Sequence, residues 1–360
     1  MSLNDYIMLI MGIGVLIGGI DRILNNRFGL GEQFEEGFMC LGPTALSIVG
    51  IICISPLLSS LLSPIIVPIY HHLGADPAMF ASIFAIDMGG YPLAMELAET
   101  PLIGAFSGII VSTMLGATIV FTIPTGLGII PSEYHINFAK GLLIGLIPIP
   151  IGSLIGGLLM GLSFKQVLFN SIPTVLIALF LMLGLIFMQD LMVKGFLILG
   201  TLIKIITTIG LMLAAFTYLT GITILSNIPD IMICMETVSS ICIVLLGSLP
   251  FVHLLLKILQ KPFEYLGEKL SLNGASIAGM LFSCISVFPV FKIFHEMNDR
   301  GQIVCTAFFV SSIAVFAAHL GYTAGVAPQY LTAMIVAKLC SGFLGIVLAL
   351  VFTRHQRASL

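Results

Sequence analysis

Apolar runs of about twenty residues, divided by short polar joints, recur along the whole chain. Eleven emerge, at residues 5–24, 38–62, 78–97, 102–124, 138–162, 167–188, 195–219, 231–257, 274–293, 303–321 and 330–352. Each is long enough, as a helix, to cross a hydrocarbon core about 30 Å thick. Runs such as LIGAFSGIIVSTMLGATIVF (102–121) lack the alternation a membrane barrel strand requires. The pattern predicts an all-α polytopic membrane protein, a single integral domain over 1–360. The Pro-rich joint 62–78 reads as irregular, and the amphipathic stretch 257–273 as interfacial.

Lysine and arginine positions choose between topologies. If all eleven segments span, seven basic residues fall on one side and five on the other. If 78–97 and 274–293 each enter and leave by the same face, eleven collect on one side. These are Arg22, Arg27, Lys140, Lys194, Lys257, Lys261, Lys269, Lys292, Arg300, Arg354 and Arg357, and Lys165 alone lies opposite. Nine spanning helices and two re-entrant, broken-helix hairpins are therefore expected. The breaks are read at Gly89, Gly90 and Pro92 in the first hairpin and at Pro289 in the second.

These two segments also align at a shift of 197 residues, with Ala78 on Ala275, Ala81 on Ala278, Pro92 on Pro289, Glu99 on Glu296 and Gly104 on Gly301. With the hairpins re-entrant, approximate halves 30–165 and 231–352 have opposite orientation, the inverted-repeat plan of many carriers.

Ionisable groups at membrane depth are costly, which makes them candidates for a site. Asp87 lies in mid-segment beside the Gly-Gly-Tyr-Pro break, where it either faces a wet recess or caps the second half of a kinked helix. Glu32, Glu35 and Glu36 open the second segment, either complementing its helix dipole or standing at a pore mouth with Phe34 and Phe38 as π-faces. Glu236 begins segment 231–257 in the same way. His319 and Lys338 could couple transport to an ion, or else be hydrogen-bonded and snorkelling side chains. Thr113, Thr118 and Thr122 recur at helical spacing, as interhelical contacts do.

Composition sharpens the class. Only 9% of the 360 residues are charged and 58% are hydrophobic, with mean hydropathy +1.16. A net charge of −3 without a basic tract gives no reason to expect nucleic acid as a partner. The seven cysteines include no C-x-x-C pair, so no metal site or disulfide framework is expected. No cofactor motif, phosphate loop or nucleophile elbow occurs, and no catalytic residue is assigned. The partners expected are the lipid bilayer and a small solute, and the small-residue face Gly152–Gly161 could pack within the chain or make a homo-oligomer.

GEQFEEGFMCLGPTALSIVG, PIIVPIYHHLGADPAMFAS, AIDMGGYPLAMELAE, GATIVFTIPTGLGIIP and IVAKLCSG together resemble the ethanolamine permease family of the bacterial ethanolamine-utilisation pathway. The resemblance runs over nearly the whole chain. It implies a multi-pass inner-membrane protein that takes up ethanolamine; the chemistry of an ammonium then leads us to expect an acidic residue that binds it during alternating access. Asp87 with Tyr91, or Glu35 and Glu36 with Phe38, could bind the ammonium head, with Glu236 a further acidic candidate. Ser286 or Thr118 could meet the hydroxyl. The chain departs from the family in its second half. It has Ile285-Ser286-Val287-Phe288-Pro289 where the family reads N-N-I-P, and Ala317-Ala318-His319 where it reads G-D-H. A carrier for another small cation or a nucleoside-like solute, and a non-transporting membrane sensor, are the alternatives.

Overall fold

The computed structural model describes residues 2–83, 90–225 and 227–354. The helices are α1 (Leu3–Ile23), α2 (Leu30–Met39), α3 (Leu41–His72) and α4 (Gly90–Leu97). Next come α5 (Pro101–Ile129), α6 (Ser132–Leu159), α7 (Phe164–Phe187), α8 (Gln189–Thr220) and α9 (Ile231–Lys269). The chain closes with α10 (Gly274–Ser283), α11 (Phe288–Lys292), α12 (Asp299–Ser312), α13 (Ala318–Val326) and α14 (Leu331–Phe352). Among the described residues eight helices are long and apolar enough to cross a membrane, and the protein is an all-α multi-pass membrane protein.

Burial sorts the helices into an outer shell and a centre. Only 17% of the most apolar stretch of α1 and 22% of that of α8 is buried, against 94% of α5. Leu176, Phe180, Leu183 and Phe187 of α7 are exposed, so the periphery is a side-chain surface made for lipid. With no water to expel between helices inside a bilayer, close backbone packing supplies the attraction. A side chain on Gly14 would land on the backbone of Gly247 across α1 and α9, and one on Gly50 would land on Thr207 across α3 and α8. The face beginning at Gly152 packs inside the chain, against Ser341 and Ala337 of α14, with Gly156 meeting Ile110 of α5.

Two expectations about element limits are corrected. The Pro-rich joint after residue 62 is helical: α3 continues to His72 with Pro56, Pro64 and Pro68 inside it. Segment 303–321 is interrupted, since α12 stops at Ser312 and α13 starts at Ala318. The amphipathic stretch after 257 prolongs α9, whose 39 residues reach roughly 58 Å, well beyond the hydrocarbon.

Both segments read as re-entrant have their two ends joined. The first begins as a 3₁₀ turn, Pro77–Ser82, and returns as α4. Asp76 caps the outgoing arm through Ala78 N at 2.8 Å and accepts Glu99 N, beyond the returning arm, at 3.2 Å. In the second segment, α10 goes out and α11 returns. Asn273 caps α10 through Ser276 N at 3.2 Å, donates to Glu296 O at 2.7 Å and accepts Asn298 N at 3.4 Å. The two clamps stand at equivalent places, 197 residues apart, one built with Asp and the other with Asn.

The clamps differ in polarity, since the Asp76 carboxyl accepts Glu99 N whereas the Asn273 amide donates to Glu296 O, and burial holds the Asp76 carboxyl above the ordinary carboxylate range. Asp76→Asn keeps one acceptor for Ala78 N but turns an NH2 toward Glu99 N, so it is expected to lower thermal stability in detergent by about 1 kcal/mol, while Asp76→Ala should cost about 1–2 kcal/mol through the lost cap and clamp. The raised folded-state pKa means the native state holds its proton longer than the unfolded chain does. Wild-type stability should consequently fall as pH rises from the ordinary carboxylate range through that value, and the Asn variant should lack that fall. Equal melting temperatures for the Ala variant and the wild type would show that the clamp contributes nothing.

Candidate functional site

The second hairpin and the break in the tenth segment form one unit. Between α10 and α11 the chain turns at Cys284–Val287, with Pro289 in the first turn of α11. The carbonyls of Ser283 and Cys284, at the C-terminal end of α10, accept Ala314 N at 2.8 Å and Phe316 N at 3.1 Å. Peptide groups that α12 abandons at its break are thus taken up by the hairpin tip, as burial away from water demands. His319 closes the other side: its Nδ1 lies 2.9 Å from Ile313 O, and its own N–H donates to Ala314 O at 3.1 Å. Ala314 sits at φ +51°, a left-handed conformation unusual for a residue with a side chain.

A cavity of about 300 Å³ lies against this unit. Its walls include Glu36, Cys40 and Thr44 from α2 and α3, Phe121 from α5, Ser286 and Phe288 from the hairpin tip, and Ala314 and Ala317 from the break. Phe121 and Phe288 meet edge to face, with centroids 5.6 Å apart. Ser286 accepts Phe288 N at 3.4 Å, which leaves the hydroxyl proton unused. Among the described residues the carbonyls of Ile285 and Ser286 accept no hydrogen bond. The cavity wall includes the start of α11 at Phe288 and of α13 at Ala318 as well as the end of α12, so helix ends of both signs border it. Free carbonyls, aromatic rings and a carboxylate at the exposed rim favour a small cation.

The first hairpin reaches the same broken helix from another direction. Ser107 of α5 donates to Ala78 O at 2.6 Å and Ser59 of α3 to Glu96 O at 3.2 Å, which fixes both arms. A side chain at Gly108 would collide with the backbone of Tyr91, so α4 lies hard against α5. The Tyr91 ring meets that of Tyr322 on α13 at 6.4 Å, edge to face. Tyr322 is fully buried and its hydroxyl has no hydrogen-bond partner among the described residues. Asp87 and Gly89 lie outside the described residues. Gly90 and Pro92 fall in the first turn of α4.

The remaining candidates are scattered. Glu35 pairs on the surface with Arg22 at 2.6 Å, both side chains being half exposed. Glu236 is exposed in the second turn of α9 and does not line the cavity. Thr118 is sealed, and its hydroxyl lies within hydrogen-bond distance of Met114 O, 2.7 Å, and Val310 O, 2.9 Å, which ties α5 to α12. Lys338 does not snorkel: it is fully buried and donates to Thr113 O at 2.6 Å. Cys53 and Cys234 face each other across α3 and α9 at 3.5 Å between sulfurs.

Of the acidic and hydroxyl candidates, the cavity gathers Glu36 and Ser286. It adds Thr44, Phe121 and the backbone of the break, which sequence reasoning missed. A stripe at Glu36, Cys40 and Thr44, each one helical turn after the last, could have pointed to Thr44. No local signal marks Phe121.

Residues 3–352 match the family model described as "Ethanolamine utilisation protein, EutH". The chain is 47% identical over 343 residues to the "Probable ethanolamine permease EutH" of Listeria monocytogenes, covering 95% of this chain and 92% of that one. It is 39% identical over 359 residues to the "Uncharacterized protein YxeR" of Bacillus subtilis, covering 99% and 97%. A third relative, the "Probable ethanolamine permease EutH" of Escherichia coli, is 35% identical over 398 aligned positions, covering 100% and 98%. No solved structure matches.

The geometry of the break generates its own test. Ala314→Gly should keep or raise thermal stability, by up to about 1 kcal/mol, because glycine adopts a positive φ without the steric cost. Ala314→Val should lower it by about 2 kcal/mol or more, because a branched side chain is an outlier there. Melting curves of the detergent-solubilised variants decide this, and a valine variant as stable as wild type would remove the strained turn from the account.

Proposed function

The chain belongs to the EutH family of ethanolamine utilisation proteins, and from that premise we propose that it is a permease of the bacterial inner membrane, not an enzyme, that carries ethanolamine inward. At neutral pH ethanolamine is mostly an ammonium ion, which hydrocarbon excludes. The observation that carries the reading is the cavity at the second hairpin, where a rim carboxylate, an aromatic pair, unused carbonyls and hydroxyl groups converge in about 300 Å³. A site of that size suits a small solute.

In this reading Glu36 draws the cation to the cavity mouth, the carbonyls of Ile285 and Ser286 and the Phe288 ring receive the ammonium, and Asp87 of the first hairpin provides a second carboxylate on the path. The halves 30–165 and 231–352 act as inverted copies. Support for the inversion comes from the matched clamps at Asp76 and Asn273 and from the charge asymmetry of the loops. Because the hairpin tip is hydrogen-bonded to the break, α10–α11 and α12–α13 move together when access alternates.

Purified full-length chain in proteoliposomes should accumulate radiolabelled ethanolamine, saturably and against an excess of unlabelled substrate. Glu36→Gln should raise the half-saturation concentration roughly three- to tenfold with little loss of maximal rate, since an entrance charge acts mainly on encounter. Asp87→Asn should lower the maximal rate at least tenfold. Protein-free and protein-bearing vesicles taking up substrate at the same rate would sink the proposal.

A further inference from the structure

Besides the free groups of the hairpin tip, the cavity wall carries a threonine hydroxyl with no partner among the described residues. Several buried helical threonines return their hydroxyl proton to the carbonyl one turn back: Thr113 to Ile109, Thr207 to Ile203, Thr306 to Gln302 and Thr323 to His319, whereas Thr122 and Thr174 are sealed without a partner among the described residues. Such back-bonding is the ordinary fate of a buried helical hydroxyl. Thr44 departs from it. The carbonyl one turn back belongs to Cys40, at the joint between α2 and α3, and accepts only Thr44's own N–H, at 3.0 Å. Thr44 as a residue is 7% exposed, its hydroxyl has no partner among the described residues, and it lines the cavity. The hydroxyl is open to the cavity, where a ligand's hydroxyl can replace water as its hydrogen-bond partner.

We propose that Thr44 reads the hydroxyl of the transported amino alcohol and so sets the preference for a hydroxylated over a plain primary amine. The inference rests on the permease reading above. Glu36 lies two helical turns away along the same stripe, about 12 Å, and side chains on a helix lean toward its N-terminus. One small molecule therefore cannot touch both groups at once, which separates an attracting rim from a selecting interior. In the same cavity the hairpin tip offers its free carbonyls and the Phe288 ring to the ammonium, and Thr44 takes the other end of the molecule. The substrate class is a short primary ammonium bearing one hydroxyl. A plain amine leaves Thr44 unpaired, and polar sites reject such analogues more sharply than apolar sites reject an added group.

The experiment measures ethanolamine uptake into proteoliposomes of the full chain, with unlabelled ethanolamine or ethylamine as competitor. In the wild type ethylamine should compete about tenfold more weakly, the equivalent of one hydrogen bond. In Thr44→Val the ethanolamine half-saturation should rise about tenfold to meet the ethylamine value, while ethylamine competition stays unchanged and so reports an intact fold. Thr44→Ser should restore the preference. Undiminished discrimination in the valine variant would overturn the inference, as would equal weakening toward both amines, which marks a structural role. A wild type that moves no ethanolamine would overturn the permease reading itself, an outcome distinct from either of those.

Discussion

A peptide group cannot be left unpaired at membrane depth, and the architecture follows from how this chain meets that constraint where its helices stop. Helix α12 ends at Ser312 and the backbone resumes helical form at Ala318. The peptide N–H groups of Ala314 and Phe316 are taken by Ser283 and Cys284 of the hairpin tip, and the ring of His319 covers the carbonyl of Ile313. Each interruption is tolerable because the other supplies its partners. Neither the hairpin nor the break would be stable alone at that depth.

The same pairing leaves a residue of polarity that function can use. Once Ser283 and Cys284 are committed, the next carbonyls in the turn, Ile285 and Ser286, accept nothing from the chain. They border the cavity together with the Phe121–Phe288 pair. In the proposed carrier, selectivity for a cation is built largely from these backbone carbonyls, with a carboxylate kept at the exposed rim where its hydration costs little.

Around this centre the fold separates rigidity from mobility. Helix α5 is the most buried of the long helices and is wound in the wider π form over Phe106–Gly116 and Thr118–Thr122. Its Ser107 and Gly108 grip the first hairpin, and its Thr118 holds α12. Both hairpins reach the broken helix, one through the ring contact of Tyr91 with Tyr322 and the other through peptide hydrogen bonds. A helix touched by both hairpins and itself interrupted is the natural place for opposing access states to be coupled.

Membrane class, the helical nature of the segments, the hairpins with their joined ends, and Glu36 and Ser286 as cavity residues were all legible in the chain. Bilayer thickness imposes a run length, and Gly or Pro at a break is a local backbone property. The helical course of α3 through three prolines and the interruption after Ser312 were not legible, because neighbouring elements decide whether freed peptide groups find partners. Thr118 and Thr44 show the division most sharply. Both are helical threonines in apolar segments, alike as sequence, yet one hydroxyl is spent against Val310 of another helix and the other opens on a cavity. Composition and periodicity determined that such groups would be buried; only the packing of distant elements decided which had its hydrogen bond supplied by the protein and which was left open to the cavity.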